Sequence, residues 1–293
     1  MSSKDIGIFS NINCEKAISV GCGSGVKELW LMQMCAVGHF QLFDISKENI
    51  RLGKQEAERL GLANRANFHA EDAFAAPLGK DYDLVYWNNA LHHMPNVWDA
   101  VRWSYDRLKP GGLFAMDDFV GPSRFQWSED NLRWASAVRQ QLPERYLRSP
   151  DDPNGFVSRD VDRPTPEQVI ATDPSEAVDS GRILAAIDAF FPGAEVIPTG
   201  GALYVCALND IFLNFITEED LILLEQILLM DQMLARYGET HYAVALAVKG
   251  NTRELLPVPE RTFFQALKSS VKKATGGRFK RFAKRTRGKG RIR

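Results

Sequence analysis

Short apolar runs alternate with helix-like stretches over the first 120 residues of the chain. The runs, at 17–20, 39–43, 66–69, 83–87 and 113–116, have the length and composition of buried strands. Asn96 precedes an amphipathic stretch that reaches Leu108, and Ser46 opens another that ends near Gly61. This alternation predicts βαβ units, with a parallel sheet covered by helices on both faces.

The pattern changes after residue 121. Residues 122–200 are rich in Pro, Arg, Asp and Trp, and they contain two helix-like pieces at roughly 129–142 and 175–191. A capping box that begins at Thr217 predicts a long helix to Tyr237, and "HYAVALAV" at 241–248 predicts a last buried strand. We therefore predict a core at 1–121, an insertion at 122–200, completion of the core at 201–250 and a C-terminal segment at 251–293.

Composition indicates a folded domain with a conventional core. Of 293 residues, 45% are hydrophobic and 25% charged, and the longest uncharged apolar-rich run, 196–209, is too short to span a bilayer. The four cysteines show no CxxC spacing, which predicts neither a zinc site nor a disulfide framework. We expect a cytoplasmic protein with reduced thiols.

Charge is divided unevenly along the chain. All 37 acidic residues lie in 1–260 with 23 Lys and Arg, whereas 261–293 carries 13 Lys and Arg and no acid. This basic segment also contains large apolar side chains, Phe263 and Phe264 among them, which predicts peripheral contact with an anionic membrane at its inner face. RNA binding and a solvated tail without a partner are the alternatives.

Polar side chains follow four of the predicted strands at the points where the strands end. They are Asp44, Asp72, Asn88 and Asp117. In a doubly wound sheet, ligands bind beyond the carboxyl ends of the strands. The sequence therefore predicts a ligand site at this edge.

A glycine-rich turn follows the first strand. Its pattern is Gly21-x-Gly23-x-Gly25, and Val26 stands where a dinucleotide fingerprint needs its third glycine. No phosphate-binding lysine of a P-loop follows. This tighter form lets the backbone pass close to a bulky uncharged group, although a glycine-rich turn without a ligand is the alternative.

Two acidic residues can recognise a nucleoside beside this turn. Asp44 lies 19 residues after Gly25, where a carboxylate can accept both hydroxyls of a ribose. The helix N-cap role belongs more naturally to Ser46. Asp72 can accept from an adenine amino group, or it is a simple turn aspartate.

Five stretches occur in an order and spacing typical of one family. They are "VGCGSG", "LFDIS", "AEDAF", "DLVYWNNALHHM" and "RLKPGGLFAMDDF". Residues 14–120, together with a last strand near 241–249, resemble the core of class I S-adenosylmethionine-dependent methyltransferases. "DDFVGPSRFQW" and "LPERY" look similar to a bacterial small-molecule and glycan branch with a substrate-capping insertion.

The resemblance implies an α/β fold of the Rossmann-like methyltransferase type. Its doubly wound, mostly parallel sheet has seven strands, the last antiparallel, with a largely helical insertion after the fifth. S-adenosylmethionine is the implied cofactor. The implied cofactor contacts, from the methionine side to the adenine and the sulfonium, are Gly21, Cys22, Gly23, Gly25, Asp44, Ile45, Asp72, Ala73 and Asn88.

Ser19 departs from the family pattern. Most members place an acid at this position, where it orients the amino group of the cofactor through the turn. A hydroxyl gives less charge-assisted attraction. We therefore expect other groups to recognise the ammonium.

Transfer of a methyl group to a hydroxyl needs a base, and two pairs of side chains are candidates. His92 and His93 lie just beyond the fourth strand, although such a pair can also simply pack and cap the following helix. Asp117 and Asp118 are the other candidates, alone or on a divalent metal. No complete set of oxygen ligands is legible, so no metal site is predicted.

The acceptor is less well defined. Residues 88–91 lack the Asn-Pro-Pro-aromatic box of adenine methylation. Arg124, Gln126 and Trp127 can line a pocket for a polar, ringed acceptor. The alternative is that Trp127 and Phe125 only pack within the substrate-capping insertion. The apolar surface of 221–230 indicates core packing or a homodimer contact rather than a ligand groove.

The predicted function is O-methylation of a small molecule or saccharide, including a lipid-linked saccharide. The resemblance and the candidate bases favour a hydroxyl over an amine or a carbon acceptor. An RNA methyltransferase that uses the basic segment is one alternative. A catalytically silent methyltransferase fold that acts as an assembly module is the other.

Overall fold

The central sheet contains seven strands in the order β3-β2-β1-β4-β5-β7-β6. The computed structural model describes residues 14–152 and 154–250. The strands are β1 (Cys14–Val20), β2 (Val37–Phe43), β3 (Ala66–His69), β4 (Tyr82–Asn88), β5 (Leu108–Phe119), β6 (Glu195–Gly200) and β7 (Tyr242–Val248). Strands β1 to β5 pair in parallel, and β7 is antiparallel to both β5 and β6. The predicted α/β fold is confirmed.

Eight α-helices connect or flank the strands in the described part of the chain. They are α1 (Val26–Gln33), α2 (Lys47–Arg59), α3 (Val97–Arg107), α4 (Glu129–Gln141), α5 (Pro166–Thr172), α6 (Ile183–Phe190), α7 (Tyr204–Leu208) and α8 (Glu218–Arg236).

The three helix starts predicted from capping residues are confirmed. Ser46 accepts a hydrogen bond from the backbone N–H of Asn49 at the start of α2. Asn96 accepts from the first-turn amides of α3, and Thr217 accepts from that of Asp220 in α8. Each cap satisfies backbone donors that have no partner within the helix.

Both faces of the sheet are buried, which explains why the strands are almost continuously apolar. Trp87, Phe114 and Ile18 point into a cluster that also includes side chains of α3 and α6. Their strand neighbours Leu84 and Ala115, which alternate with them, are equally buried. Because successive side chains of a strand point to opposite faces, this pattern requires a layer on each side of the sheet.

A second cluster lies beyond the end of β5. It includes Phe119 and Trp127, together with apolar side chains of α4, α7 and α8. The predicted insertion, 122–200, contains α6 and β6, which pack in the central layers. The helix expected at 175–191 is shorter in the structure: α6 begins at Ile183, after the hydrogen-bonded turn of Asp173 and Ser175 and a single 3₁₀ turn at Ser180–Arg182.

The sequence also predicted features outside these layers. The basic segment 261–293 lies outside the described residues. Large apolar side chains along α8, such as Ile222 and Met233, are exposed, and the homodimer contact stays a prediction. None of the helices in 14–152 and 154–250 is long and apolar enough to cross a bilayer.

His241 connects the second cluster to the sheet. Its ring stacks on Trp127 with the centroids 4.7 Å apart and lies 6.1 Å from the ring centroid of Phe119. Only 4% of the residue is exposed, and its Nδ1 atom has no hydrogen-bond partner among the residues that the structure describes. Burial therefore lowers the pKa of His241 to about 4.

We predict that His241 makes the folded protein less stable in acid. Between the unfolded pKa of about 6.5 and the folded pKa of about 4, the unfolded chain binds a proton that the folded chain excludes. The free energy of unfolding should thus fall by up to roughly 3 kcal/mol as the pH drops through this window. Urea unfolding between pH 7.5 and about pH 4 measures it.

His241→Phe removes the titrating group and keeps the ring stack, so its unfolding free energy should depend less on pH. His39→Gln, at an exposed histidine on β2, is the matched control and should retain the wild-type profile. Parallel pH profiles for wild type and His241→Phe would contradict the assignment.

Candidate active site

The glycine-rich turn between β1 and α1 is built from left-handed backbone. Gly21, Gly23 and Gly25 have φ values of +65°, +56° and +68°. A Cβ atom on Gly21 would approach the Cβ of Ala90 to 2.7 Å, whereas one on Gly23 would meet no atom of the described residues within 4 Å. The turn therefore packs tightly on one side, and at Gly23 it borders open space that a ligand can approach closely.

Asp44 stands beside this open space at the end of β2. One carboxylate oxygen accepts from the N–H of Gly23 at 2.8 Å, and the other accepts from the N–H of Ser46 at 2.8 Å. An ionised carboxylate has about four lone-pair sites, so acceptor capacity remains for two ligand hydroxyls. The next residue, Ile45, is 82% exposed and offers an apolar surface at the same edge.

The predicted adenine-side residues form a turn after β3. Asp72 is exposed and accepts from the N–H of Phe74 at 2.9 Å, while Ala73 is buried. Cys22 is half-buried, and burial, followed by the Glu28 and Asp44 carboxylates, raises the pKa of its thiol well above its usual range. This thiol stays protonated and unreactive.

Ser19 has a carboxylate partner that the sequence analysis missed. Its hydroxyl donates to Glu28 Oε1 at 2.6 Å, and both residues are buried. Burial raises the pKa of the Glu28 carboxyl, and the Ser19 hydrogen bond partly opposes this effect. An acid from the first turn of α1 thus lies behind the glycine turn, next to the strand position where the family usually carries one.

Lys27 links the ends of β4 and β5. Its ammonium donates to Asn88 Oδ1 at 2.7 Å and to Asp117 Oδ2 at 3.0 Å. About half of each charged side chain is exposed, so this ion pair is weak and opens readily. The structure therefore brings predicted residues Asn88 and Asp117 together and adds a cation between them.

Asp118 is enclosed behind this edge. Its Oδ2 atom accepts from the backbone N–H groups of Ala90 and Leu91 at 2.8 and 2.7 Å. Its Oδ1 atom accepts from the N–H of Phe119 and from His92 Nδ1, the latter at 2.5 Å. With 0% exposure, Asp118 positions the turn after β4 and cannot itself touch an acceptor molecule.

His92 lies between two carboxylates. Asp118 is at Nδ1, and Glu176 Oε1 is 3.4 Å from Nε2. Burial opposes the charged form, but the hydrogen bond to Asp118 and the nearby Glu176 outweigh it and raise the pKa of His92 to about 9. As the site stands, His92 carries a proton at neutral pH and cannot accept another.

His93 is the more accessible member of the pair. Its ring lies 4.1 Å from that of His92, centroid to centroid, and it is half-buried. Ser175 Oγ lies 3.1 Å from His93 Nδ1 and donates to Asp173 Oδ1 at 2.7 Å. One hydroxyl supplies one proton, so Ser175 accepts from Nδ1–H, and in the neutral ring of His93 the lone pair is then on Nε2.

The three predicted acceptor-binding residues all make contacts within the chain. Arg124 Nη1 donates to the carbonyl of Glu176 at 2.9 Å, and Gln126 Nε2 donates to the carbonyl of Pro164 at 2.8 Å. Trp127 is buried against His241. The structure gives each of these side chains a role in fixing the segment after β5, and an acceptor-binding role stays a prediction.

Three functional candidates escaped the sequence analysis: Lys27, Glu28 and Glu176. Lys27 and Glu28 directly follow the glycine turn, and their position in the first turn of α1 was a usable signal. Glu176 lies 84 residues after His92 in an irregular segment, and no local pattern links the two.

These features define an α/β domain in which an open glycine turn and the Asp44 carboxylate lie together at the carboxyl edge of the sheet. Residues 13–158 match the model of the family described as Methyltransferase domain. This part of the chain is a class I S-adenosylmethionine-dependent methyltransferase domain. S-adenosylmethionine fits the residues present, because the open backbone at Gly23 and the Asp44 carboxylate lie side by side.

Several curated relatives are similar to part of the chain. The 27-O-demethylrifamycin SV methyltransferase of Amycolatopsis mediterranei is 27% identical over 36% of this chain and 39% of its own length. The erythromycin 3''-O-methyltransferase of Saccharopolyspora erythraea is 26% identical over 36% of this chain and 35% of its own. The chain thus spans well under half the length of these relatives.

The chain is also similar in structure to geranyl diphosphate C-methyltransferase from Streptomyces coelicolor. It is 12% identical, with a TM-score of 0.48 over 81% of this chain and 70% of that one.

Proposed function

We propose that the protein transfers a methyl group from S-adenosylmethionine to a hydroxyl of a small molecule or saccharide. The observation that carries the proposal is the carboxyl edge of the sheet, where the open glycine turn follows β1, Asp44 follows β2, and Asn88 ends β4 just before the His92–His93 pair. Two relatives whose names specify transfer to oxygen, one on a rifamycin and one on an erythromycin, support a small-molecule acceptor.

When bound, S-adenosylmethionine supplies a methyl group on a sulfonium, which is a very good leaving group. The protein therefore has to align the acceptor oxygen with that methyl group and manage the acceptor proton. Gly23, Asp44 and Asn88 are the residues that would hold the cofactor at this edge. Asp118 keeps the turn that carries the two histidines in place.

We assign removal of the proton from the acceptor hydroxyl to His93. Asp118 is enclosed and His92 is already protonated, so neither can take a proton from a hydroxyl. His93 has a free Nε2 lone pair and is accessible. Asp117, held by Lys27, is the second candidate.

Asp44→Ala should weaken binding of S-adenosylmethionine at least about tenfold, because each hydrogen bond to a charged acceptor contributes roughly 1.5–3 kcal/mol. Asp44→Asn keeps one oxygen acceptor and should lose less. Isothermal titration calorimetry measures the affinities, and circular dichroism checks that the variants fold.

Asp81→Ala is the control, because this exposed carboxylate pairs with Lys16, whose backbone lies near the start of β1. Wild-type affinity in a folded Asp44→Ala variant would refute the cofactor site. Cofactor binding without transfer to any acceptor would instead favour the assembly module.

His93→Ala should lower turnover by about 10²-fold or more while changing the cofactor Kd little, because the side chain acts on the acceptor. The assay follows tritium from labelled S-adenosylmethionine into the polar-metabolite, lipid and nucleic-acid fractions of cell extracts. His69→Ala, at a histidine bonded to Gln41 at the end of β3, is the control. A near-normal rate in His93→Ala would shift the role to Asp117, and label in RNA would favour the nucleic-acid alternative.

The basic segment 261–293, with 13 Lys and Arg, is proposed to bring the enzyme to an anionic membrane surface. Full-length protein should sediment with vesicles that contain phosphatidylserine, whereas a chain that ends at residue 260 should stay in the supernatant. Vesicles of neutral lipid are the control. Equal sedimentation of both chains would contradict the membrane role.

A further inference from the structure

His92, His93 and Glu176 form a compact set of potential metal ligands. Each offers one ligand atom, and these atoms all lie within 4.8 Å of one another. Two histidines and one carboxylate are a ligand set found at catalytic zinc and related transition-metal sites. No metal site was predicted from the sequence, in which cysteine spacing and oxygen ligands gave no signal and Glu176 was not singled out.

The distance between His92 and Glu176 suits a shared ion better than a direct hydrogen bond. Nε2 and Oε1 are 3.4 Å apart, beyond the usual N–H···O range of about 2.7–3.2 Å. Two ligands of one tetrahedral zinc ion, each about 2.0–2.1 Å from the metal, are roughly 3.3–3.4 Å apart. The pair is therefore already at ligand spacing.

Both histidines are oriented by partners at Nδ1. His92 donates from Nδ1 to Asp118, and His93 donates from Nδ1 to Ser175, whose own proton goes to Asp173. Nε2 is thus the ligand atom of each ring, and binding of the ion releases the proton that His92 Nε2 carries in the ion-free protein. Histidines that bind metals almost always make such a second hydrogen bond, which fixes the tautomer and the direction of the ring.

The carboxylate ligand is held from behind by Arg124. The Arg124 guanidinium donates to the carbonyl of Glu176 at 2.9 Å, and the Arg124 backbone N–H donates to the carbonyl of Ala177 at 2.7 Å. Arg124 makes these bonds from a left-handed backbone, with φ of +55°, which is unfavourable for a side chain of this kind. The chain thus keeps Glu176 opposite His92 at a conformational cost.

We propose that His92 Nε2, His93 Nε2 and Glu176 bind one divalent transition-metal ion of the zinc type, with a fourth position open to the acceptor oxygen. The two nitrogens disfavour magnesium and calcium, which prefer oxygen ligands. The carboxylates of Asp118 and Glu176 favour a positive charge between them.

The ion would activate the acceptor hydroxyl. An oxygen bound to a metal loses its proton more easily, so the hydroxyl proton would pass to bulk water, and His93 would hold the ion instead of accepting that proton. This consequence rests on the proposed methyl transfer, whereas binding of the ion does not.

The direct test is a titration of the full-length protein with Co²⁺ and with Zn²⁺ after treatment with a chelator. Tetrahedral Co²⁺ gives visible absorption bands that report its coordination, and equilibrium dialysis gives the Zn²⁺ stoichiometry. We expect one equivalent of ion per chain. Neither measurement needs cofactor, acceptor or turnover.

Variants locate the ion. His93→Ala and Glu176→Gln, both at partly exposed positions, should each weaken binding more than about 100-fold, since even loss of an orienting partner costs about 10–100-fold. Ser175→Ala removes only the hydrogen-bond partner of His93 Nδ1, so ion binding should weaken by about 10–100-fold. His69→Ala and Glu71→Gln are the controls, because they alter another histidine–carboxylate pair, 3.6 Å apart. Both variants should bind the ion as tightly as the wild type does.

The proposal is overturned if the protein binds no ion tightly, or if the cluster variants and the His69 and Glu71 controls bind equally well. If the exposed thiol of Cys35 held the ion instead, all of these variants would bind it equally well. Cofactor binding and methyl transfer in chelator-treated protein would leave the proposed function intact. If the protein bound the ion but not the cofactor, the metal site would stand and the proposed methyl transfer would be contradicted.

Discussion

A single buried carboxylate, that of Asp118, organises the catalytic edge of the protein. It accepts four hydrogen bonds, three of them from backbone N–H groups and one from His92. An unpaired charge at 0% exposure would be very costly, so these donors have to stay in place. The end of β5 and the turn after β4 are thereby joined, and His92 has one fixed orientation.

The central layers could be predicted because their signals are local. The glycine turn, the caps at Ser46 and Asn96 and the apolar runs of the strands each depend on a few neighbouring residues. The sheet then follows from alternation of strands and helices, and Asp44 reaches the glycine turn because parallel strands end at the same edge.

The rest of the site depends on contacts between distant parts of the chain. Glu176 reaches His92 across 84 residues, and its place is set by Arg124 in a backbone conformation that sequence patterns do not reveal. Trp127 was expected to line a pocket or to pack the lid, and its stack on His241 depends on how β7 returns to the sheet. Glu28 was missed for a different reason. The family pattern suggests an acid only at position 19, whereas Glu28 reaches Ser19 from the first turn of α1.

The match to the methyltransferase family ends at residue 158, before Glu176. His92 and His93 thus come from the part of the chain that the family shares, whereas the carboxylate opposite them comes from a segment outside it. Arg124 holds that segment mainly through main-chain carbonyls, which any residue type supplies. A substitution at position 176 can therefore change the side chains at this edge on a retained backbone, without any change to residues 13–158.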